Sequence, residues 1–208
     1  ELKNGEIDIE KLIRYILNEN GLNFGQLPKG LIPFHLYGKF MINPFQEQII
    51  QGTDLAGDSA DFHFTINPVF ESQIKKSINI LKEISGLNFS YTFSEQSPDS
   101  NSIAFDSSFT PAKDENNNII TRPSGHGALL NNLNQINADL IFIKNIDNVQ
   151  HSNKSKTGLK TKQALAGFLI QFQRESFKLL TLLDDNNTEW LDLAININKA
   201  YALSISEE

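Results

Sequence analysis

The stretch RPSGHGALLNNLNQINADLIFIKNIDNV, from Arg122 to Val149, decides the fold that the sequence predicts. It opens with a Gly-His-Gly turn, and the apolar spacing of residues 128–136 predicts a short helix. The apolar run Leu140–Ile143 predicts a strand that leads directly into a polar tip containing Asp147. A turn, a helix, a strand and an acidic tip in this order are typical of a nucleotide site on an open α/β sheet, where ligands bind beyond the carboxyl ends of the strands.

The segments before this stretch predict strands and helices in alternation. Asp61–Ile66 and Asn88–Ser94 are rich in aromatic and β-branched residues, which favour strands. A helical pattern at residues 69–84 lies between them and stops at Gly86. With Leu140–Ile143, this order predicts parallel strands joined by right-handed crossovers.

The larger organisation that these patterns predict is an α/β domain at residues 1–150, with a helical extension at residues 151–208 packed on it. Glycines and prolines predict a loop at residues 21–38, and polar residues predict another at residues 151–158. The tract DENNN predicts a turn, as at a hairpin tip. Further helices are predicted at Ile7–Leu17, Pro44–Thr53, Leu159–Leu183 and Trp190–Tyr201.

The composition limits the classes of protein to which the chain belongs. It has 208 residues, no cysteine and a formal net charge of −7 at pH 7. The lack of cysteine excludes disulfides and thiolate metal sites, and the negative charge argues against nucleic acid as the main partner. Because no run of about 18 apolar residues occurs, the sequence predicts no transmembrane helix and a cytoplasmic location.

Four motifs occur along the chain in the order LPKGLIPFH, FSEQSPDSNSIAFD, RPSGHGALLNNL and ADLIFIKNIDNV. Together they resemble an uncharacterised bacterial family, a domain of unknown function. That family is similar to the UDP-sugar pyrophosphorylases, which are nucleotidyltransferases. The resemblance covers residues 26–183 and implies a Rossmann-like sheet of the nucleotide-diphospho-sugar transferase type with flanking helices.

The resemblance implies charged groups that bind phosphate and metal. Lys29 matches the lysine of a Pro-Lys-Gly signature, which neutralises substrate phosphate, and it is the predicted catalytic residue. Asp147 matches the aspartate that binds Mg²⁺ at the end of a strand. The structural alternatives are a solvated loop lysine and a helix-cap or turn aspartate.

The resemblance also implies a pocket for base and ribose. Gln96 lies in the segment that lines the base pocket. Gly125, His126 and Gly127 match a turn beside the base and the ribose, with His126 in place of the asparagine that is usual in the relatives. The structural alternatives are an exposed strand-end amide for Gln96 and ordinary turn residues for the two glycines.

Two other chemistries find less support in the sequence. Ser124 and His126 lie two residues apart with no acidic partner, so a hydrolase triad is not favoured. His35, His63 and His151 lack the spacing of metal ligands, and His63 is predicted to be packed within a strand.

One departure from the pyrophosphorylases limits the predicted activity. These enzymes carry a glycine-rich loop with an arginine after their first strand, and no such loop precedes Lys29. We therefore expect the sheet to lack its first strand, the α/β domain to be incomplete at its N-terminus and this chain alone to be inactive.

Two functional hypotheses follow. The first is a nucleotidyltransferase-like domain that binds a nucleoside triphosphate or sugar nucleotide with Mg²⁺ and transfers a nucleotidyl group to a sugar phosphate. The second is a non-catalytic domain that binds a nucleotide sugar or has a structural role. Nucleotide titration detects binding, and pyrophosphate release separates an enzyme from a sensor.

Overall fold

The computed structural model describes residues 8–57, 60–185 and 187–204. The chain contains both helices and strands and divides into two compact units. The first unit comprises Glu1–Asp139 and Ile143–Lys154, and the second comprises Leu140–Phe142 and Ser155–Glu208.

The first unit contains short strands and helices of one to four turns. Its helices are α1 (Ile9–Leu17), α2 (Pro44–Ala56), α3 (Glu71–Ser85) and α4 (Leu130–Asn134). Its strands are β1 (His35–Tyr37), β2 (Phe40–Ile42), β3 (Ala60–Thr65), β4 (Phe89–Ser94), β5 (Ser102–Ile103) and β6 (Thr121–Arg122). Short 3₁₀ turns occur at Lys29–Leu31, Pro68–Phe70, Pro98–Ser100 and His126–Leu129.

A parallel strand–helix–strand element forms the centre of this unit. β3 pairs with β4 in register from Ala60 beside Phe89 to Thr65 beside Ser94, and α3 connects the two strands. The predicted strands and their parallel orientation are confirmed. Gly86 ends α3 with a φ of +66°, a left-handed conformation that glycine adopts readily.

The core of the first unit lies between this parallel pair and the helices α2 and α3. The side chains of Ile49, Ile74 and Ile78 are almost completely buried there. The full buried cluster is Leu31, Phe45, Ile49, Ile66, Ile74, Ile78, Leu81 and Phe89. Helix α2 begins as predicted at Asn43-Pro44, because Asn43 and Gln46 form a reciprocal capping box.

The predicted strand at Leu140–Ile143 is wrong. These residues form no strand, and β3 and β4 pair only with each other among the described residues. Phe142 is 41% exposed and Ile143 is 73% exposed, so these side chains are not covered as those of a buried strand are, and no strand among the described residues pairs with the run. A strand preference of this kind depends on such neighbours, and without them the run stays irregular.

Two predicted loops contain regular structure. Residues 35–37 form β1, which pairs with β2 around Gly38 at a φ of +60°. The polar segment 151–158 lies almost entirely within α5 (Ser152–Asp184). Local composition favoured loops at both places, but strand pairing and a long continuous helix prevail over it.

The other helices and the DENNN turn confirm their predictions. Helix α1 covers residues 9–17 of the predicted helix; Asp8 is its N-cap and Ile7 lies outside the described residues, while α6 (Trp190–Tyr201) has the predicted bounds. DENNN forms a hairpin tip, where Asp114 accepts hydrogen bonds from the backbone N–H groups of Asn116 and Asn118. In the second unit, Tyr201 of α6 packs edge-on against Phe168 and Phe172 of α5. None of the described helices has the length and apolar character needed to cross a membrane.

Gly30 provides a test of the packing in the first unit. A Cβ at this position would lie 2.5 Å from Cε2 of Phe45 and 3.0 Å from Cγ1 of Ile146. We expect Gly30→Ala to lower the free energy of unfolding by about 1–3 kcal/mol, because the buried Phe45 ring has little room to move. Urea denaturation measures this change. Gly125→Ala is the matched control, since its Cβ would meet nothing within 4 Å; equal losses in both variants would contradict the packing.

Candidate functional site

Two residues predicted to act on a ligand form an ion pair. Nζ of Lys29 donates a hydrogen bond to Oδ2 of Asp147 at 3.2 Å, across 118 positions of the sequence. The Lys29 side chain is 78% exposed and that of Asp147 is 40% exposed. The pair is therefore accessible to a ligand from solvent.

Apolar packing beneath this pair brings its two segments together. Lys29 opens a 3₁₀ turn after Pro28, whose extended backbone has a φ of −65° and a ψ of 148°. The next residue, Gly30, is buried against Phe45 and Ile146. Because Ile146 directly precedes Asp147, this contact places the lysine and the aspartate side by side.

Helix α2 also holds the segment around Asp147 by polar contacts. Nε2 of Gln48 donates to the backbone carbonyl of Asn145 at 2.8 Å. Nε2 of Gln51 donates to the carbonyl of Gln150, and Oε1 of Gln51 accepts from Nζ of Lys144 at 3.2 Å. Asp147 is thus flanked on both sides by backbone positions that α2 fixes.

Asp147 receives electrostatic stabilisation from a third predicted residue. The hydrogen bond from Lys29 lowers the pKa of the Asp147 carboxyl below its ordinary value, and the backbone N–H of Asp147 adds to this effect. The smallest contribution comes from His126, whose electrostatic effect also lowers the pKa. Two motifs that are distant in sequence therefore meet in an exposed ion pair.

The Gly-His-Gly turn is exposed and is followed by an anchored helix. Gly125 precedes the 3₁₀ turn at His126–Leu129, and a Cβ at Gly125 or Gly127 would meet nothing within 4 Å. In α4, Nδ2 of buried Asn132 donates to Oγ of Ser94 and to the carbonyl of Glu95, both at 2.8 Å. These bonds attach α4 to the carboxyl end of β4.

Gln96 lies just beyond this anchoring point but is not joined to the ion pair. Its Nε2 donates to Oγ of Ser100 at 3.1 Å, and the residue is half-buried. No hydrogen bond between Gln96 and Lys29, His126 or Asp147 is present in the described part of the chain.

A family model described as Domain of unknown function (DUF4301) matches residues 2–204. The chain belongs to the DUF4301 family. This confirms the predicted resemblance to a family of that kind, whereas the resemblance to UDP-sugar pyrophosphorylases stays a prediction. No curated protein and no solved structure matches the chain.

The DUF4301 chain contains a buried acidic residue that the motifs did not indicate. Glu47 is 0% exposed and accepts hydrogen bonds from Tyr37 Oη at 2.8 Å and from Gln51 Nε2 at 2.8 Å, while His35 Nδ1 lies 3.0 Å from its other oxygen. Burial raises the pKa of Tyr37, and Glu47 raises it further, against the lowering effect of hydrogen bonds with Ser152. The sequence feature that could have indicated Glu47 is its position in the first turns of a helix that begins at a capping box.

The histidine of the parallel strand pair makes hydrogen bonds between the two strands. His63 hydrogen-bonds Thr92 and Ser94 across β3 and β4, each at 2.8 Å, and partial burial lowers its pKa. This agrees with the prediction of a packed histidine. Within residues 8–57, 60–185 and 187–204, no group of three or more histidine, aspartate or glutamate side chains is arranged to hold a metal ion.

The pKa of Asp147 tests the ion pair. Replacing Lys29 by methionine removes the main cause of the lowered pKa, so we expect that pKa to rise towards its ordinary value. In the wild type, the pair stabilises the fold above the pKa of Asp147 in the unfolded chain, and this contribution is lost as the pH falls through the lower folded-state pKa. Carboxyl-carbon NMR titration measures the change. Lys39→Met is the control, and an unchanged Asp147 pKa in Lys29→Met would contradict the pairing.

Proposed function

We propose that this domain binds a nucleoside triphosphate or sugar nucleotide together with Mg²⁺ and, as part of a catalytically complete protein, transfers a nucleotidyl group to a sugar phosphate. The observation that carries the proposal is the exposed ion pair of Lys29 and Asp147, and His126 adds a smaller electrostatic effect on the Asp147 carboxyl. These residues come from three separate motifs, and each has a chemistry suited to a phosphate–metal ligand.

Lys29 is suited to contact phosphate. Its ammonium group has three N–H donors, and the described ion pair uses one of them. A phosphate oxygen can therefore approach the exposed side chain while Asp147 stays nearby. The extended Pro28 and the buried Gly30 keep the backbone of the lysine in place, so that binding orders mainly the side chain.

Asp147 is suited to a magnesium ion that retains much of its water. Mg²⁺ binds oxygen ligands and is commonly held by one or two carboxylates together with substrate phosphates. Asp147 supplies one accessible carboxylate, and Asn145 and Asn148 lie beside it in sequence. Bound Mg²⁺ would neutralise charge that develops on the phosphates, while Asp147 would orient it and Lys29 would offset the remaining negative charge.

The Gly-His-Gly turn and the end of β4 are the proposed contacts for base and ribose. The exposed Gly125 and Gly127 leave their backbone open to close approach by a ligand. His126 and Gln96 offer donors and acceptors for base edges or hydroxyls. The parallel β3–β4 pair with its connecting helix supports nucleotide binding at this place, because such units build Rossmann-like sheets that bind nucleotides beyond the carboxyl ends of their strands.

Binding without catalysis is the second candidate. Lys29 carries one positive charge and its partner Asp147 carries one negative charge, so the described ion pair supplies no net positive charge for a transition state. Nucleotidyl transfer depends strongly on such charge. A nucleotide-sugar sensor needs only orientation and moderate affinity.

Calorimetric titration tests the proposal. We expect one of UTP, ATP, CTP or a UDP-sugar to bind only with Mg²⁺. We expect Asp147→Ala and Lys29→Gln each to weaken binding by about tenfold or more, since each removes a charge-assisted contact. Asp54→Ala and Lys39→Gln are matched controls at exposed positions of the same unit.

The outcomes separate the two candidates. Because this chain alone is expected to be inactive, pyrophosphate release is assayed on a longer protein that contains it. Release from the triphosphate and a sugar phosphate supports the transferase, and binding without release by that protein supports the sensor. Failure of every nucleotide to bind, with and without Mg²⁺, would contradict both. Equal weakening by the control variants would show that the site lies elsewhere.

A further inference from the structure

Two chains of hydrogen bonds join α2 to the segment that carries Asp147. Gln51 connects directly to the carbonyl of Gln150. Tyr37 accepts a hydrogen bond from the backbone N–H of Ser152 at 3.0 Å, and its own hydroxyl donates to Glu47 on α2. Gln48 also donates a hydrogen bond to Asn145, but only its NH₂ group is paired, because Oε1 of Gln48 is buried with no partner among the described residues.

The carboxylate of Glu47 determines which atoms donate and which accept in both chains of hydrogen bonds. An ionised carboxylate only accepts hydrogen bonds. Gln51 must therefore turn its NH₂ group towards Glu47, which leaves its second N–H for Gln150 and its oxygen for Lys144. In the same way, the Tyr37 hydroxyl must donate to Glu47, so its oxygen is left to accept from Ser152.

His35 completes the environment of the carboxylate. Its Nδ1 lies 3.0 Å from Oε2 of Glu47, and its side chain is only 17% exposed. The ring stacks on Phe34 at a centroid distance of 3.8 Å, which fixes its orientation. A buried carboxylate with donors on both oxygens is stable in one arrangement, whereas a neutral amide in its place would add a competing donor.

We propose that Glu47 is a positioning residue for the ligand site: its buried carboxylate orients Gln51 and Tyr37, and these hold residues 144–152 so that Asp147 lies beside Lys29. The effect of Glu47 on ligand binding rests on the proposed function. The positioning itself does not, because it is measurable on the chain without any ligand.

The test uses Glu47→Gln in the full chain. Carboxyl-carbon NMR of Asp147 is expected to show its pKa rising towards the ordinary value, because the contact with Lys29 becomes less persistent. Backbone amides of residues 145–152 are expected to exchange hydrogen at least about tenfold faster, while those of α3 stay unchanged. Glu71→Gln is the matched control, since Glu71 pairs with Lys75 on α3 and not with this segment.

Two further variants test the positioning of residues 144–152 if circular dichroism shows that Glu47→Gln does not fold. Gln51→Met retains Glu47 but removes the bonds of the Gln51 amide to Glu47, Lys144 and Gln150. Tyr37→Phe likewise retains Glu47 and removes the bonds of the Tyr37 hydroxyl to Glu47 and Ser152. Each is expected to speed amide exchange in residues 144–152, with a smaller change in the Asp147 pKa than Glu47→Gln causes. Glu47→Asp, which restores the charge, is expected to recover part of the wild-type behaviour.

Specific results would overturn the proposal. An unchanged Asp147 pKa and unchanged exchange at residues 145–152 in folded Glu47→Gln would do so, as would wild-type behaviour in both Gln51→Met and Tyr37→Phe. If the wild type binds a nucleotide, Glu47→Gln is expected to weaken Mg²⁺-dependent binding by about tenfold to a hundredfold. If Asp147 shifts but the wild type binds no nucleotide, the positioning stands and the proposed function fails.

Discussion

The packing of Gly30 against Phe45 and Ile146 is the constraint on which the candidate site depends. It joins a short turn near the start of the chain to a segment more than a hundred positions later, through the same buried ring that belongs to the core. Lys29 and Asp147 flank this contact at the surface, so their pairing follows from apolar packing beneath them. Exposed ion pairs contribute little to stability by themselves, and this one is better understood as a consequence of the fold.

The polar contacts of α2 add direction to that packing. Hydrophobic contact is not directional, so it brings segments together without fixing their orientation. Glu47, Gln48 and Gln51 supply hydrogen bonds that depend on orientation, and the burial of Glu47 makes each of its bonds expensive to lose. The same helix therefore contributes Phe45 to the core and fixes the backbone on both sides of Asp147, which couples core stability to site geometry.

Sequence patterns predicted the elements whose signals are local. Strands β3 and β4 were recognisable by their aromatic and β-branched residues, and α2 by its Asn-Pro start. Leu140–Ile143 carried the same kind of signal but forms no strand, because a strand also needs a neighbour that the sequence does not reveal. Motif order selected Lys29 and Asp147, which form an ion pair, whereas Glu47 was missed because burial of an acid depends on tertiary contacts.

We propose that three distant segments form one ligand site. Amide chemical-shift mapping during titration with Mg²⁺ and each nucleotide tests it most directly. We expect concentration-dependent shifts at Lys29–Gly30, at Gly125–Gly127 and around Asp147, with a common binding curve, while amides of α6 stay unchanged. Shifts confined to one of these segments, shifts centred elsewhere in the chain, or none at saturating concentrations would contradict it.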